Sequence, residues 1–318
     1  MKIAYPTIKA IVVIVRHALY SKGILLSLLF LTPLLCMAQQ QVAKEILALQ
    51  NQGATFRKVE LVKYESADLS RNAGLSDLRK GTLLKMNPQA ITDLENGQSP
   101  QISLTLPIEE HRAITLDLIE QEIFAEGFHV YTSDSPGQPM PYSEGKHYRG
   151  MVHGDPGSVV ALSVFKNEIA GLISTEDGNL VLSKVKDSAE NLHILYHDAD
   201  LEIAPGWECG TPDDGIGYTK EQLTAQPGQR DPGDCIRVYV EIDDNIVTDM
   251  GGAANALNFT TSIFNQTITL FANEGITMSI SEILAWTTTS PYNGQSLCPN
   301  VDVSRCRPRR RSGGRPLR

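Results

Sequence analysis

The sequence predicts an α+β chain, a β-rich body followed by the beginning of an α/β unit, and three observations carry that expectation. Between His147 and Val185 apolar runs of strand length alternate with turn signals. From Pro212 to Asp234, Gly, Pro and charged residues replace apolar periodicity, which marks an exposed linker. Beyond it a strand pattern, a long helical pattern and a second strand pattern follow in the order of an α/β unit with a parallel pair of strands.

Residues 1–38 read as a signal peptide. Lys2, Lys9, Arg16 and Lys22 precede the apolar run "GILLSLLFLTPLLCMA", and the small Ala38 is the expected last residue removed. The run is shorter than the ~20 apolar residues that a membrane span needs and contains Pro33, so no stable span is expected. A lipoprotein reading through Cys36 is disfavoured by bulky Leu35 where a small residue would precede the lipidated cysteine.

A β-rich domain is expected over 39–211. It opens with helical spacing in "VAKEILAL" from Val42 and continues with short alternating runs in "SLTLPIEEHRAITLDLIEQEIF", which suit strands. "SDSPGQPMPYSEG", Ser133 to Gly145, is a loop by its Pro and Gly content. In "HYRGMVHGDPGSVVALSVFKNEIAGLISTEDGNLVLSKV", turns are expected at Asp155-Pro156-Gly157 and at Glu176-Asp177-Gly178-Asn179, with "SVVALSVF", "IAGLIS" and "LVLSKV" as strands of an antiparallel meander.

After the linker, 212–234, the second unit is expected over 235–294. Ile236, Val238, Val240 and Ile242 alternate with Arg237, Tyr239 and Glu241 as in a half-buried strand, which Asp243 and Asp244 end. Thr248 or Asp249 is placed to cap a helix carrying Ala253, Ala254, Leu257, Ile263, Phe264, Ile268 and Phe271, and Gly275 to terminate it. "ITMSISEILAW" returns to strand character. A strand–helix–strand unit cannot cover both faces of its own sheet, so the unit reads as cut short.

Charge is divided unevenly. Seven of the 28 basic residues are arginines between Arg305 and Arg318, and of the 37 acids only Asp302 lies beyond residue 294, which leaves a body of 21 basic and 36 acidic residues, net −15. Nucleic acid is therefore not an expected partner of the body. The stretch 295–318 is rich in Arg, Pro, Gly and Cys and lacks Lys, a composition expected of out-of-frame translation; a genuine basic tail is the alternative.

Two segments together resemble secreted zinc metallopeptidases of the reprolysin (adamalysin, metzincin) type. "YRGMVHGDPGSVVALSVFKNEIAGLIS" is similar to that family's pro-domain pattern: Tyr-x-Gly, Gly-x-Pro-x-Ser, Val-Ala-Leu-Ser and Gly-Leu-Ile in order. "IRVYVEIDDNIVTDMGG" and "FNQTITLFANEGITMSISEILAW" resemble the first strand, first helix and second strand of its catalytic domain. The resemblance implies a secreted zymogen whose complete form hydrolyses peptide bonds of protein or peptide substrates with a zinc held by H-E-x-x-H-x-x-G-x-x-H. This chain contains no H-E-x-x-H, and its seven histidines all precede the linker, so no zinc ligand or general base carries over. As written the chain is expected to be inactive and to bind no zinc.

Cys209, in "GWECGTPDD", is the candidate zinc latch. In the family a pro-domain cysteine before a glycine supplies a thiolate to the metal in place of the catalytic water. A disulfide with Cys235 or an inert thiol are the alternatives at this position. His193 and His197 have the spacing of a helical metal pair, but no glutamate follows His193, and a packing or surface role is expected. The pairs Asp213-Asp214 and Asp243-Asp244 read as solvated turn carboxylates. The functional alternative is a non-enzymatic exported β-rich binding protein.

Overall fold

The computed structural model describes residues 40–66, 69, 73–97, 100–186, 188, 190–202 and 235–291. Cys209, the linker, the expected signal peptide and the Arg-rich stretch lie outside them. The described residues are mixed α+β and mostly β. Thirteen strands are β1 (Arg57–Val59), β2 (Val62–Tyr64), β3 (Thr82–Met86), β4 (Gln101–Glu109), β5 (Arg112–Glu120), β6 (Phe124–Thr132), β7 (Lys146–Val152), β8 (Asp155–Phe165), β9 (Glu168–Thr175), β10 (Gly178–Lys184), β11 (Leu192–His197), β12 (Cys235–Ile242) and β13 (Thr277–Ala285). Four helices are α1 (Gln41–Asn51), α2 (Pro88–Asn96), α3 (Asp244–Asp249) and α4 (Ala253–Asn273).

Ten strands form one sheet in the order β1-β4-β5-β7-β8-β9-β10-β11-β3-β2. Its two edge strands, β1 and β2, are separated in the chain only by Glu60 and Leu61, so the sheet must curl until its edges meet. Thr82 on β3 donates across that seam to the carbonyl of Ile108 on β4 at 2.5 Å. Residues two apart supply the enclosed core: Ile102, Leu104 and Leu106 on β4, Leu116 and Leu118 on β5, Val160, Leu162 and Val164 on β8. Leu61 and Leu84 from one end of the sheet join the same cluster, and Ile91 and Leu94 of α2 pack on it too. Each such side chain contributes about 2 kcal/mol of apolar burial.

The expected meander is present as β7 to β10, and β11 continues it antiparallel. Its first turn differs from expectation. Val152 pairs with Asp155, which leaves His153-Gly154 as the two-residue connection, and Gly154 takes φ +79. Asp155-Pro156-Gly157 instead starts β8, with the Asp155 carboxylate accepting from Gly157 N at 3.0 Å. The left-handed conformation open to Gly154 lets this two-residue connection reverse the chain ahead of the Pro-Gly pair.

The second sheet is entirely parallel, in the order β12-β13-β6. The parallel β12–β13 pair connected by α4 is as expected from the periodicity. β6 comes from the earlier part of the chain: after Glu120 the strand leaves the curled sheet and joins β13, so the small sheet draws strands from both sides of the linker. Its core is Phe124, Val130, Ile242, Leu257, Ile268, Ile280 and Ile283.

Helix capping also differs from the expectation at Thr248 or Asp249. Asp243 caps the short α3, accepting from Asn245 N at 3.0 Å, while α4 begins after Gly252 with no side-chain cap. Gly251 and Gly252 both have positive φ, so the chain turns between the helices on backbone freedom. Gly275, at φ +72, ends α4 as the sequence indicates. Among the described residues no helix is long and apolar enough to cross a membrane.

Candidate interface between the two sheets

α4 lies between the sheets and presents a different chemistry to each. Leu257 and Ile268 face the small sheet's core. Thr261, Asn265 and Thr269, four residues apart on one stripe, are fully buried, and Asn265 reaches the curled sheet. Thr261 and Thr269 satisfy their hydroxyls on the carbonyls four residues back, Leu257 O and Asn265 O, at 2.9 and 2.8 Å.

Asn265 is the centre of the contact. Its Nδ2 donates to Leu162 O at 3.0 Å, Ser163 Oγ at 3.2 Å and Tyr148 O at 3.3 Å. Its Oδ1 accepts from Gln121 Nε2, which also reaches Thr269 Oγ1 at 3.1 Å. Beneath it, Ser163 Oγ is 2.9 Å from His147 Nδ1, and His147 Nε2 is 2.9 Å from Glu144 O. A carbonyl only accepts, so Nε2 carries the proton, Nδ1 accepts from Ser163, and Ser163 Oγ accepts from Asn265. Burial lowers the His147 pKa to about 4, which keeps the ring neutral and this proton pattern intact.

Further along the same helix, Tyr142 Oη lies 3.1 Å from Thr261 Oγ1 and donates to Asn258 Oδ1 at 3.3 Å; burial raises its pKa. Burial raises that of Glu168 too, opposed by Lys184 and by a hydrogen bond with Asn258. At the other end, Val42 N donates to Asn273 Oδ1 at 3.0 Å, which ties α1 to α4. The contact is thus a buried, hydrogen-bonded polar seam in which Ser163 donates its hydroxyl proton to the neutral imidazole of His147 and accepts from Asn265.

The other singled-out residues are dispersed. Cys235 is free and exposed, with Sγ 3.3 Å from Ser279 Oγ. His193 and His197 sit on strand β11, where the helical spacing has no meaning. His193 is buried, accepts from Ile169 N at 3.1 Å, and has its pKa lowered to about 4 by burial. His197 accepts from Ala199 N at 3.3 Å and donates to Asp177 O at 3.0 Å. Asp243 and Asp244 are structural: Ser290 Oγ donates to Asp243 at 2.7 Å and Ser290 N to Asp244 at 3.2 Å. Serine's bond holds the Asp243 pKa low.

One polar cluster had escaped sequence reasoning. Asp117, 2% exposed, accepts from Ser103 Oγ at 2.9 Å and Gln50 Nε2 at 2.9 Å, with His153 Nδ1 at 2.6 Å. Ser, His and Asp meet here, but serine and histidine bond to different carboxylate oxygens and not to each other, so the arrangement is not that of a serine–histidine nucleophile pair. The carboxylate fastens α1 to the curled sheet. Among the described residues no group of three or more His, Cys, Asp or Glu is placed to hold a metal ion.

The face of the small sheet away from α4 bears an open groove of about 510 Å³, lined by Tyr131, Tyr239, Trp286, Leu284 and Glu282 among others. Trp286 Nε1 donates to Glu241 at 2.9 Å, which sets the indole against β12. Tyr239 is 49% exposed and Ile236 44%. On α4, Ile263, Leu270 and Phe271 are exposed as well.

A scan against protein-family models finds no match, and a search of curated proteins finds none.

Proposed function

We propose that the chain is the leading part of an exported precursor of a reprolysin-type zinc metalloendopeptidase: signal peptide, β-rich pro-domain, linker, and the first strand–helix–strand of the catalytic domain. The observation that carries this reading is the order of the two sequence patterns, Tyr148 to Ser174 and then Ile236 to Trp286, on either side of a cleavable linker. The first pattern folds as consecutive antiparallel strands β7 to β9, and the second as a parallel pair with its connecting helix.

Two physical features favour it further. The parts meet through a polar seam centred on Asn265, and a surface that later separates must be soluble by itself. The strand–helix–strand unit also leaves Ile236, Tyr239, Ile263, Leu270 and Phe271 exposed, apolar surface that further elements of a catalytic domain would cover in this reading. In this reading Cys209 is the latch that donates a thiolate to the zinc of the complete enzyme, whose substrates are proteins or peptides. Because the sequence lacks H-E-x-x-H, this reading expects the chain as written to hold no zinc and to cleave no peptide bonds.

A second reading, a non-enzymatic exported protein that binds a partner on its β-rich surface, is favoured by the aromatic groove of Tyr131, Tyr239 and Trp286. The coding DNA separates the two. Read in all three frames past the codon for Leu297, it should encode H-E-x-x-H-x-x-G-x-x-H; absence from every frame sinks the peptidase precursor. The purified chain supplied with zinc should leave casein intact, and chelator-sensitive cleavage would overturn the assignment of inactivity.

A further inference from the structure

The groove of about 510 Å³ on the helix-free face of the small sheet is lined by residues two apart on neighbouring strands. Glu282 and Leu284 alternate along β13, Tyr131 on β6 pairs with Leu284, and Trp286 follows β13 directly. Its walls are fixed in advance. Glu241 holds the indole through Trp286 Nε1 at 2.9 Å, and Ser133 Oγ accepts from Thr287 N and Thr288 N, each at 3.0 Å, which pins the start of the loop carrying Pro136 and Gly137. A ligand entering such a groove has little left to order. Tyr239 borders the groove too and keeps its own interaction. Among the described residues of the lining, Glu282 is the only one with a charge. It is half-buried, and no hydrogen bond or ion pair within the described residues takes up its carboxylate. A carboxylate drawn partly out of water among aromatic and apolar side chains favours a cation beside it. Glu282 pairs with His129, so Tyr131 stands diagonally from it, about 7–8 Å away along the backbone lattice and within reach of one long side chain.

We infer that the groove seats an extended segment of a partner protein that carries an arginine and an apolar side chain two residues from it. The guanidinium pairs with Glu282 and lies on the ring of Tyr131, and the apolar side chain, about 7 Å further along, packs on Leu284 and Trp286. Arginine suits these groups better than lysine, because its planar, weakly hydrated head gives an edge to the carboxylate and a face to the ring. An anionic partner is disfavoured: the described lining has no cation to meet it, and the body of the chain, with 21 basic and 36 acidic residues, carries net −15. The seven arginines between Arg305 and Arg318 stand in a stretch with the composition of out-of-frame translation, so a partner supplies the segment. The groove serves the second reading, a binding protein, on which this assignment rests.

Trp286 reports on the groove. The full chain has two tryptophans, so Trp207→Phe leaves the Trp286 emission alone, to be followed as the acetylated and amidated pentapeptide Gly-Arg-Ser-Leu-Gly is added. The emission should change saturably with a Kd on the order of 0.1 mM. Citrulline in place of the peptide's arginine, or Glu282→Gln in the protein, should each weaken binding about tenfold, and Tyr131→Leu about threefold. Unchanged circular dichroism in each variant excludes misfolding. No saturable response up to about 5 mM overturns the inference, as does a Kd indifferent to citrulline or to Glu282→Gln. A β-linked glucose hexamer that shifts the emission where the peptide does not would overturn the arginine segment and leave a binding protein, whereas a groove silent to both removes its support from that reading as well. An emission that shifts on adding salt before any peptide, and no longer does so once the arginines between Arg305 and Arg318 are replaced by serine, would give the groove to this chain's own arginines and overturn a partner's. The frames of the coding DNA decide the peptidase reading separately.

Discussion

Replacing Asn265 with Ala removes the contact through which α4 holds the curled sheet, and the expected cost follows from its bonds. Two amide hydrogens are shared among Leu162 O, Ser163 Oγ and Tyr148 O, and the carbonyl oxygen accepts from Gln121. Three hydrogen bonds at about 1 kcal/mol each, with a small cavity added, give a loss of about 3–4 kcal/mol. For a chain of this size that lowers the melting temperature by about 10 °C. Gln121 retains Thr269 and Ser163 retains His147, so the loss should not grow into collapse of the seam. Asn265→Asp should cost more at neutral pH, since a carboxylate has no proton to give to the facing carbonyls. The assay is urea and thermal unfolding followed by circular dichroism, with Thr267→Ala on the exposed side of α4 as the control expected within about 0.5 kcal/mol of wild type. A loss below about 1 kcal/mol for Asn265→Ala would refute the claim that this amide holds the two parts together.

Stability should fall as the medium is acidified from about pH 6.5 to about pH 4. His147 and His193 have folded pKa values lowered to about 4 by burial, so in that window the unfolded chain binds protons that the folded chain refuses. Each contributes up to about 3 kcal/mol of that loss, fully developed below pH 4. His193→Gln should flatten the dependence of unfolding free energy on pH, and an unchanged slope would count against the burial argument. Gly150→Ala places a Cβ 2.0 Å from Asp117 O and should destabilise by about 3 kcal/mol or more, whereas Gly127→Ala, with open space but φ +77, should cost about 1 kcal/mol. Equal melting temperatures for these two variants would show that the close approach of β7 to β5 is not as tight as described.

Wherever a pattern depends on neighbours in the chain, it was legible before the fold was known. Helical spacing from Val42, the apolar runs of the meander, and the alternation from Ile236 to Ile242 all correspond to elements. "SVVALSVF" carries more than strand propensity: Ser158 to Phe165 is buried throughout, since the curled sheet's core covers one face and α4 the other. His193 and His197 show the opposite case. Their separation of four residues suits a metal pair only on a helix, and the strand pairing of Leu192–His197 with β10 and β3 removes that geometry. Cys209, the candidate zinc latch, lies outside the described residues.

By itself the sequence determined the opening helix, the strands of the meander and the strand–helix–strand after the linker, where the acidic and apolar residues collect, and the order of the two family-like patterns, because these follow from local periodicity and composition. Tertiary structure alone decided that β1 and β2 close the ten-stranded sheet, that β6 deserts it for β13, and that Asn265, Ser163 and His147 share one proton network. Those partners stand about 100 or more residues apart along the chain for the Asn265 contacts, and pairing at such distance is selected by the burial and hydrogen bonding of the whole fold, which no local window of residues records.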